Sequence, residues 1–218
     1  MSLDDLRTPG TQPTGPSSGH LLVEDRATDG RTARRDRNRT AVLDAVLALF
    51  AEGHLEPAAT EVAERSGVSL RSVYRYYDDN EALMRAAIAH SFERNRPLFE
   101  IDRIGEGPLV ERIDRLIDRR LVLHDHLAGI ARAAVARART NELVRAQLTR
   151  QLALLRRQNE QMFAPELDDL DPRERDELEA AIELVISFDA LENLRTTRNF
   201  ADDQTRRILR RALLALLA

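Results

Sequence analysis

Between Ser69 and Tyr76 the sequence SLRSVYRY sets two arginines, two serines and two tyrosines around one inward-facing aliphatic residue, Val73. Hydroxyls and guanidinium groups at this density donate hydrogen bonds to phosphates and to base edges. Arg71 is the strongest reader in the set, because its fork pairs bidentately with guanine. Nothing else in the chain offers comparable chemistry. The five histidines are His20, His54, His90, His124 and His126, and the last two, being two apart on a helix, point to different sides and make a poor metal pair. There is no cysteine, which excludes disulfides, thiolate metal sites and cysteine nucleophiles. No glycine-rich phosphate loop or nucleophile elbow occurs. The acidic run PELDDLDP lacks the spacing and central glycine of a calcium loop, and pairs such as Glu177 and Glu179 read as solvated helix faces. The expectation is a binding protein with no enzymatic activity, no metal and no cofactor.

The elements that would position Ser69–Tyr76 can be read outward from it. In TEVAERSGVSLRSVYRYY, Val62 and Ala63 give a first short helix its apolar face, and Gly67 sits where the chain must stop and reverse. Ser69 is a helix N-cap. Two short helices joined by such a turn form a helix-turn-helix, with the second helix sized for a major groove. Upstream, Val42, Val46, Leu49 and Phe50 recur at helical spacing and predict a helix over about 32–52, the core of a small domain. Downstream, Asp78 with Glu81 three residues on predicts a capping box and a helix ending before Pro97, with Leu83, Ala87 and Ile88 inward.

Charge distribution supports this reading better than the net charge of −4 does. Residues 1–30 hold two arginines against five acids, whereas residues 31–77 hold eight against six. Arg31, Arg34, Arg35, Arg37 and Arg39 face Asp36 alone, a local positive field able to attract DNA. All 33 basic residues are arginine. The segment TPGTQPTGPSSG cannot repay its ordering entropy, so residues 1–30 read as a disordered arm. No apolar run approaches the roughly 20 residues needed to span a bilayer, and no signal-peptide core is present, which predicts a cytoplasmic protein without membrane contact.

The string AVLDAVLALFAEGHLEPAATEVAERSGVSLRSVYRYYDDNEALMRAAI resembles, with matching spacing, the N-terminal domain of the TetR (tetracycline-repressor-like) family of transcriptional regulators. The resemblance implies that Leu70, Arg71 and Ser72 face base edges and that Tyr74 and Tyr76 approach phosphates or the groove wall. It also implies that Tyr77 is a core aromatic. With the arginines, the implied DNA-binding set is Arg34, Arg35, Arg39, Thr60, Ser69, Leu70, Arg71, Ser72, Tyr74, Arg75, Tyr76 and Asn80. Two departures weaken it. Pro57 and Ala58 stand where the family has a pair of threonines capping the helix on a phosphate, leaving Thr60 a turn later as the partial substitute. Asn80 stands where the family often has lysine.

After IDRIGEGP the chain is again helical, with segments expected at 109–126, 127–139, 141–163, 172–197 and 201–217. The resemblance implies a ligand cavity here, and His124, His126, Arg132, Asn159, Met162, Phe163 and Phe188 are candidates to line it. The last two segments are apolar over wide faces. Ile182, Val185, Leu191, Ile208, Leu209, Leu213 and Leu216 are candidates for a four-helix interface with a second copy.

The predicted architecture is all-α, with about nine helices. A disordered arm (1–30) precedes a three-helix helix-turn-helix domain (31–78) and a larger helical ligand-binding and dimerisation domain (79–218), with the helix at 79–96 as connector. The predicted function is a homodimeric DNA-binding transcriptional regulator, a repressor released from a near-palindromic double-stranded operator by a small-molecule effector. The alternative is a helical protein-interaction module with a degenerate helix-turn-helix.

Overall fold

The computed structural model describes the backbone of residues 19–218 and side chains from Gly30 onward. The expected disordered arm lies outside the described residues as far as residue 18. From Gly19 to Ala51 the chain forms one helix, α1, which starts well before the expected residue 32. The proline- and glycine-rich composition ends at Gly19, and HLLVEDRATD beyond it contains helix formers and no proline. The described residues divide into two units, with the boundary between Thr40 and Ala41. In the first, Arg34, Arg35 and Arg39 are exposed on α1.

The second unit is helical throughout, and no strand occurs among the described residues. After α1 come α2 (Ala59–Ser66), α3 (Leu70–Tyr76), α4 (Asn80–Arg94), α5 (Leu109–Ala138) and α6 (Glu142–Met162). These are followed by α7 (Ala164–Leu167), α8 (Pro172–Val185), α9 (Phe188–Glu192) and α10 (Asp202–Leu217). A 3-10 turn at Arg96–Phe99 follows α4, and a π turn at Asn193–Thr197 follows α9. None of the described helices is long and apolar enough to cross a membrane.

Two expected boundaries move. The segments 109–126 and 127–139 form one helix, α5, because no breaker separates them and the inner stripe runs unbroken through Leu123, Leu127 and Ile130. The segment 172–197 is not continuous. α8 ends at Val185, with Ile186 as its C-cap, and Ser187 recaps the chain by accepting the Ala190 N–H at 3.1 Å, so a serine hydroxyl competes successfully with helix continuation. The start of α8 is as expected: Asp171 Oδ1 accepts the N–H of Arg173 and of Glu174, ahead of Pro172 in the first turn.

Buried side chains fall into two clusters. The first joins Val42, Val46 and Phe50 of α1 to Val62, Val73, Tyr77 and Leu83, and then to Ile130, Ala133 and Val144 of α5 and α6. The second joins Ile113, Leu116 and Ile117 of α5 to Phe163, Ile182, Leu191, Leu209 and Leu213. Full burial of an aliphatic or aromatic side chain such as Phe50 contributes about 1.5–3 kcal/mol. The second cluster corrects the dimer candidates. Ile182, Leu191, Leu209 and Leu213 are buried within the protomer, since α10 packs against α5 and α8, and α8 against α6 and α10. Val185 packs half-buried against the same cluster, and Ile208 and Leu216 are half-buried. The outward apolar side chain on α8 is Leu184, which is 73% exposed.

Candidate nucleic-acid interface and cavity

The start of α2 is built without a side-chain cap. Ala58 has no acceptor to offer, but its own N–H donates to Glu61 Oε2 at 2.7 Å, and Thr60 is exposed one residue into the helix. Gly67 closes α2 at φ +68°, the left-handed region. No atom lies within 4 Å of a Cβ built there, so the requirement for glycine is conformational. Ser69 then caps α3 as expected, accepting the Ser72 N–H at 3.3 Å.

Val73 is 1% exposed and anchors α3 to the core, with Tyr77 beside it at 6%. Leu70, Arg71, Tyr74 and Arg75 are all exposed, and one and four residues apart they share the opposite face. Tyr74 is 52% exposed. Tyr76 is half-buried against the core, with the Arg75 guanidinium 5.3 Å from its ring centroid. Arg75 also donates to the hydroxyl oxygens of Ser72 and Tyr76, each at 3.4 Å. The structure thus brings Ser69, Leu70, Arg71, Ser72, Tyr74 and Arg75 together at the surface, with Val73 turned to the core and Tyr76 at the inner edge.

Asn80 sits differently. It is half-buried, and its amide nitrogen donates to the Pro57 carbonyl at 3.2 Å, tying the first turn of α4 to the start of α2. The cap of α4 is Asp79, which accepts the Ala82 N–H at 2.6 Å, and not the expected Asp78. Glu81 is consequently free of capping duty. It accepts from Asn141 Nδ2 at 2.7 Å and from Arg137 Nη1 at 3.4 Å, and Arg137, 7% exposed, donates onward to the Leu55 carbonyl at 3.2 Å. One buried guanidinium therefore links the end of α5, the start of α4 and the loop before α2. A second junction lies at Gly129 of α5, where a Cβ would stand 2.5 Å from the Phe50 carbonyl oxygen of α1.

Between α4, α5, α6 and α9 lies a cavity of about 110 Å³. Its walls are mainly apolar, with Phe92, Phe99, Leu127, Leu155 and Phe188 prominent and Ser91, Arg120, His124 and Gln151 as the polar exceptions. Of the expected lining set, His124 and Phe188 are present. The other five lie elsewhere. Met162 and Phe163 are wholly buried in the second core cluster, His126 is exposed with Nδ1 against the Val122 carbonyl, and Arg132 pairs with Glu192. Asn159 stands behind the wall, accepting from Arg120 at 3.0 Å. Arg120 is the residue that sequence reading missed. Its position three and four residues from Ile117 and His124 puts it on the inner stripe of α5, and an arginine on such a stripe is the available signal.

His124 is buried, and its two nitrogens have opposite partners. Nδ1 faces Arg195 Nη1 at 3.0 Å, a donor, so Nε2 carries the hydrogen and donates to Glu192 Oε1 at 2.7 Å. That is the neutral ring. Burial lowers its pKa below the ordinary 6.5 against the opposing pull of Glu192. A depressed base makes the unfolded chain the better proton binder below pH 6.5, so the stabilisation is present above that value and lost as pH falls toward the folded pKa. Urea midpoints between about pH 5 and 8 should fall on the acid side, less steeply in His124→Gln. An equal slope in the variant would exclude His124 as the source.

Comparisons with known proteins follow the same outline. No protein-family sequence profile matches the chain. It is 30% identical over 89 residues to the HTH-type transcriptional repressor LfrR of Mycolicibacterium smegmatis, covering 41% of this chain and 47% of that protein. It is 35% identical over 89 residues to the HTH-type transcriptional repressor KstR of Rhodococcus jostii, covering 40% and 37%. The matched stretch thus spans less than half the length of these curated relatives. A transcriptional regulator from Rhodococcus sp. Rha1 superposes with a TM-score of 0.64 at 18% identity, over 84% of this chain and 95% of that one. A chain from Rhodococcus sp. assigned to the TetR family superposes with a TM-score of 0.60 at 19% identity, over 83% and 99%. The fold is that of the TetR-family transcriptional regulators.

Proposed function

We propose that this protein is a DNA-binding transcriptional regulator of the TetR type, acting as a homodimer on a near-palindromic operator. The observation that carries the reading is α3. It is pinned to the core through Val73 while Leu70, Arg71, Tyr74 and Arg75 project together on its other side. Such a helix enters a major groove, and two copies read half-sites about 34–36 Å apart. Arg34, Arg35 and Arg39 add backbone attraction in this reading, Thr60 and the N–H groups of α2 take a phosphate, and Asn80 serves the protein's own structure. Exposed Leu184 on α8 and half-buried Ile208 and Leu216 on α10 provide apolar surface for a second copy.

Repression relieved by a small molecule fits the same framework. Ser91 and Phe92 of α4 line the cavity, and the other end of α4 is tied to the start of α2 by Asn80 and to Arg137 by Glu81. An occupant that prefers a displaced α4 would alter the separation of the two recognition helices, to the extent of its differential affinity for the two states.

The test is selection of genomic fragments by purified protein, then anisotropy titration of the enriched sequences at several salt concentrations. The expected result is an enriched palindrome bound by a dimer with a steep salt slope. Arg71→Ala should weaken specific binding by about 1–3 kcal/mol and relax selectivity at one base pair per half-site. Unchanged affinity would remove Arg71 from the reading set. Folded protein that enriches no sequence would favour the alternative, a protein-interaction module.

A further inference from the structure

Among the described residues three arginines are buried, and two have a carboxylate. Arg112 pairs with Glu166 at 2.5 Å and Arg137 with Glu81 at 3.4 Å. Arg120, 4% exposed, has none among the described residues. Its acceptors are all neutral: Gln158 Oε1 at 2.9 Å, Asn159 Oδ1 at 3.0 Å and the Leu155 carbonyl at 3.2 Å. Desolvation pulls its pKa down to about 10, which leaves it charged at neutral pH. A buried ion without a counter-charge is costly, and retaining one calls for an explanation.

The setting supplies one, because Arg120 lines the cavity. His124 on the same wall is neutral, with both nitrogens engaged, so among the described residues Arg120 is the one lining residue that carries a formal charge, and its three hydrogen bonds to Gln158, Asn159 and the Leu155 carbonyl leave guanidinium hydrogens to spare. The remaining surface is dominated by aliphatic and aromatic side chains, including Phe92, Leu127 and Phe188. We infer that the cavity takes a hydrophobic monocarboxylate, with its carboxylate on Arg120 and its apolar body against the aliphatic and aromatic wall. One negative charge neutralises Arg120, whereas a second would be stranded in an apolar space. At about 110 Å³ the cavity is smaller than the roughly 150 Å³ that accommodates a benzene-sized molecule, so a longer tail has to extend beyond it, and Leu152, which lines the cavity while 44% exposed, is the wall residue at solvent. The inference deepens the effector-responsive part of the proposed function by naming the chemistry of the effector.

The probes are octanoate and 1-octanol, matched in chain length and differing in charge, titrated calorimetrically into the full-length protein without DNA. Octanoate should bind at least about tenfold more tightly than 1-octanol, a preference of about 1.4 kcal/mol. Arg120→Gln should abolish that preference and leave 1-octanol binding within about threefold. Ala131→Leu, which fills the cavity from α5, should weaken both probes. Equal or tighter binding of the alcohol by the wild-type protein overturns the inference, and that comparison depends on no variant folding. Octanoate affinity that survives either substitution in a folded variant overturns it too. Because no DNA is present, a failed operator selection and a failed octanoate titration are independent results.

Discussion

Replacing Glu166 by alanine should cost about 3 kcal/mol of unfolding free energy, read as a lowered urea midpoint at fixed protein concentration. Glu166 on α7 holds Arg112 of α5 with both carboxylate oxygens, Nη2 to Oε1 at 2.5 Å and Nη1 to Oε2 at 2.7 Å. Such a bidentate pair is both directional and strong. Arg112 is 4% exposed and keeps the Met162 and Gly107 carbonyls in the variant, but loses its counter-charge while still buried. Breaking a buried pair from one side costs about 3–5 kcal/mol, and the 18% exposure of the Glu166 side chain argues for the lower end. The cycle has an internal check. Arg112→Met combined with Glu166→Ala removes both charges and should be less destabilised than Glu166→Ala alone. A loss below about 1 kcal/mol in the single variant would show that water reaches the guanidinium.

Gly129→Val should be of similar size, near 3 kcal/mol, and, on the proposed function, should also weaken binding to the selected DNA. A Cβ at residue 129 would stand 2.5 Å from the Phe50 carbonyl oxygen, 2.7 Å from the Ala51 Cα and 2.9 Å from the Phe50 carbonyl carbon. All three are backbone atoms, so no side chain can rotate away and α1 must lift from α5. The gain in helix propensity on leaving glycine, below about 1 kcal/mol, is too small to offset overpacking. Gly30→Ala is the control. Nothing lies within 4 Å of a Cβ there, so that variant should be neutral or slightly stabilised. Equal Tm values for wild type and Gly129→Val would mean the two helices part without cost.

The helix-turn-helix was legible because local rules decide it. A glycine at the left-handed position, a serine cap and one inward valine follow from spacing alone, and Gly67, Ser69 and Val73 take those roles. The body was legible as helix but not as packing. Apolar periodicity marks a stripe without naming what covers it, so Leu209 and Leu213 were expected at a surface and are instead in the core. Helix ends depended on hydroxyl and carboxylate competition, as at Ser187 and Asp79, where neighbouring candidates look equivalent in sequence. The cavity was the least legible part. Its walls come from four elements far apart in the chain, and Met162 and Phe163 differ from true lining residues only by the direction they face.

If the proposed function holds, the first core cluster bears on how new DNA specificities could be engineered into this scaffold. Its members come from both sides of the expected boundary at residue 78, with Phe50, Val62 and Val73 packed in the same cluster as Ile130, Ala133 and Val144. Residues 41–78 thus share their interior with α5 and α6, and Arg137 and Gly129 fix the register between them. A hybrid that exchanged this segment wholesale for a relative's would set two unmatched half-cores against each other. Retargeting is better confined to the outward positions of α3, where Arg71 and Tyr74 can be varied while Val73 keeps the graft seated.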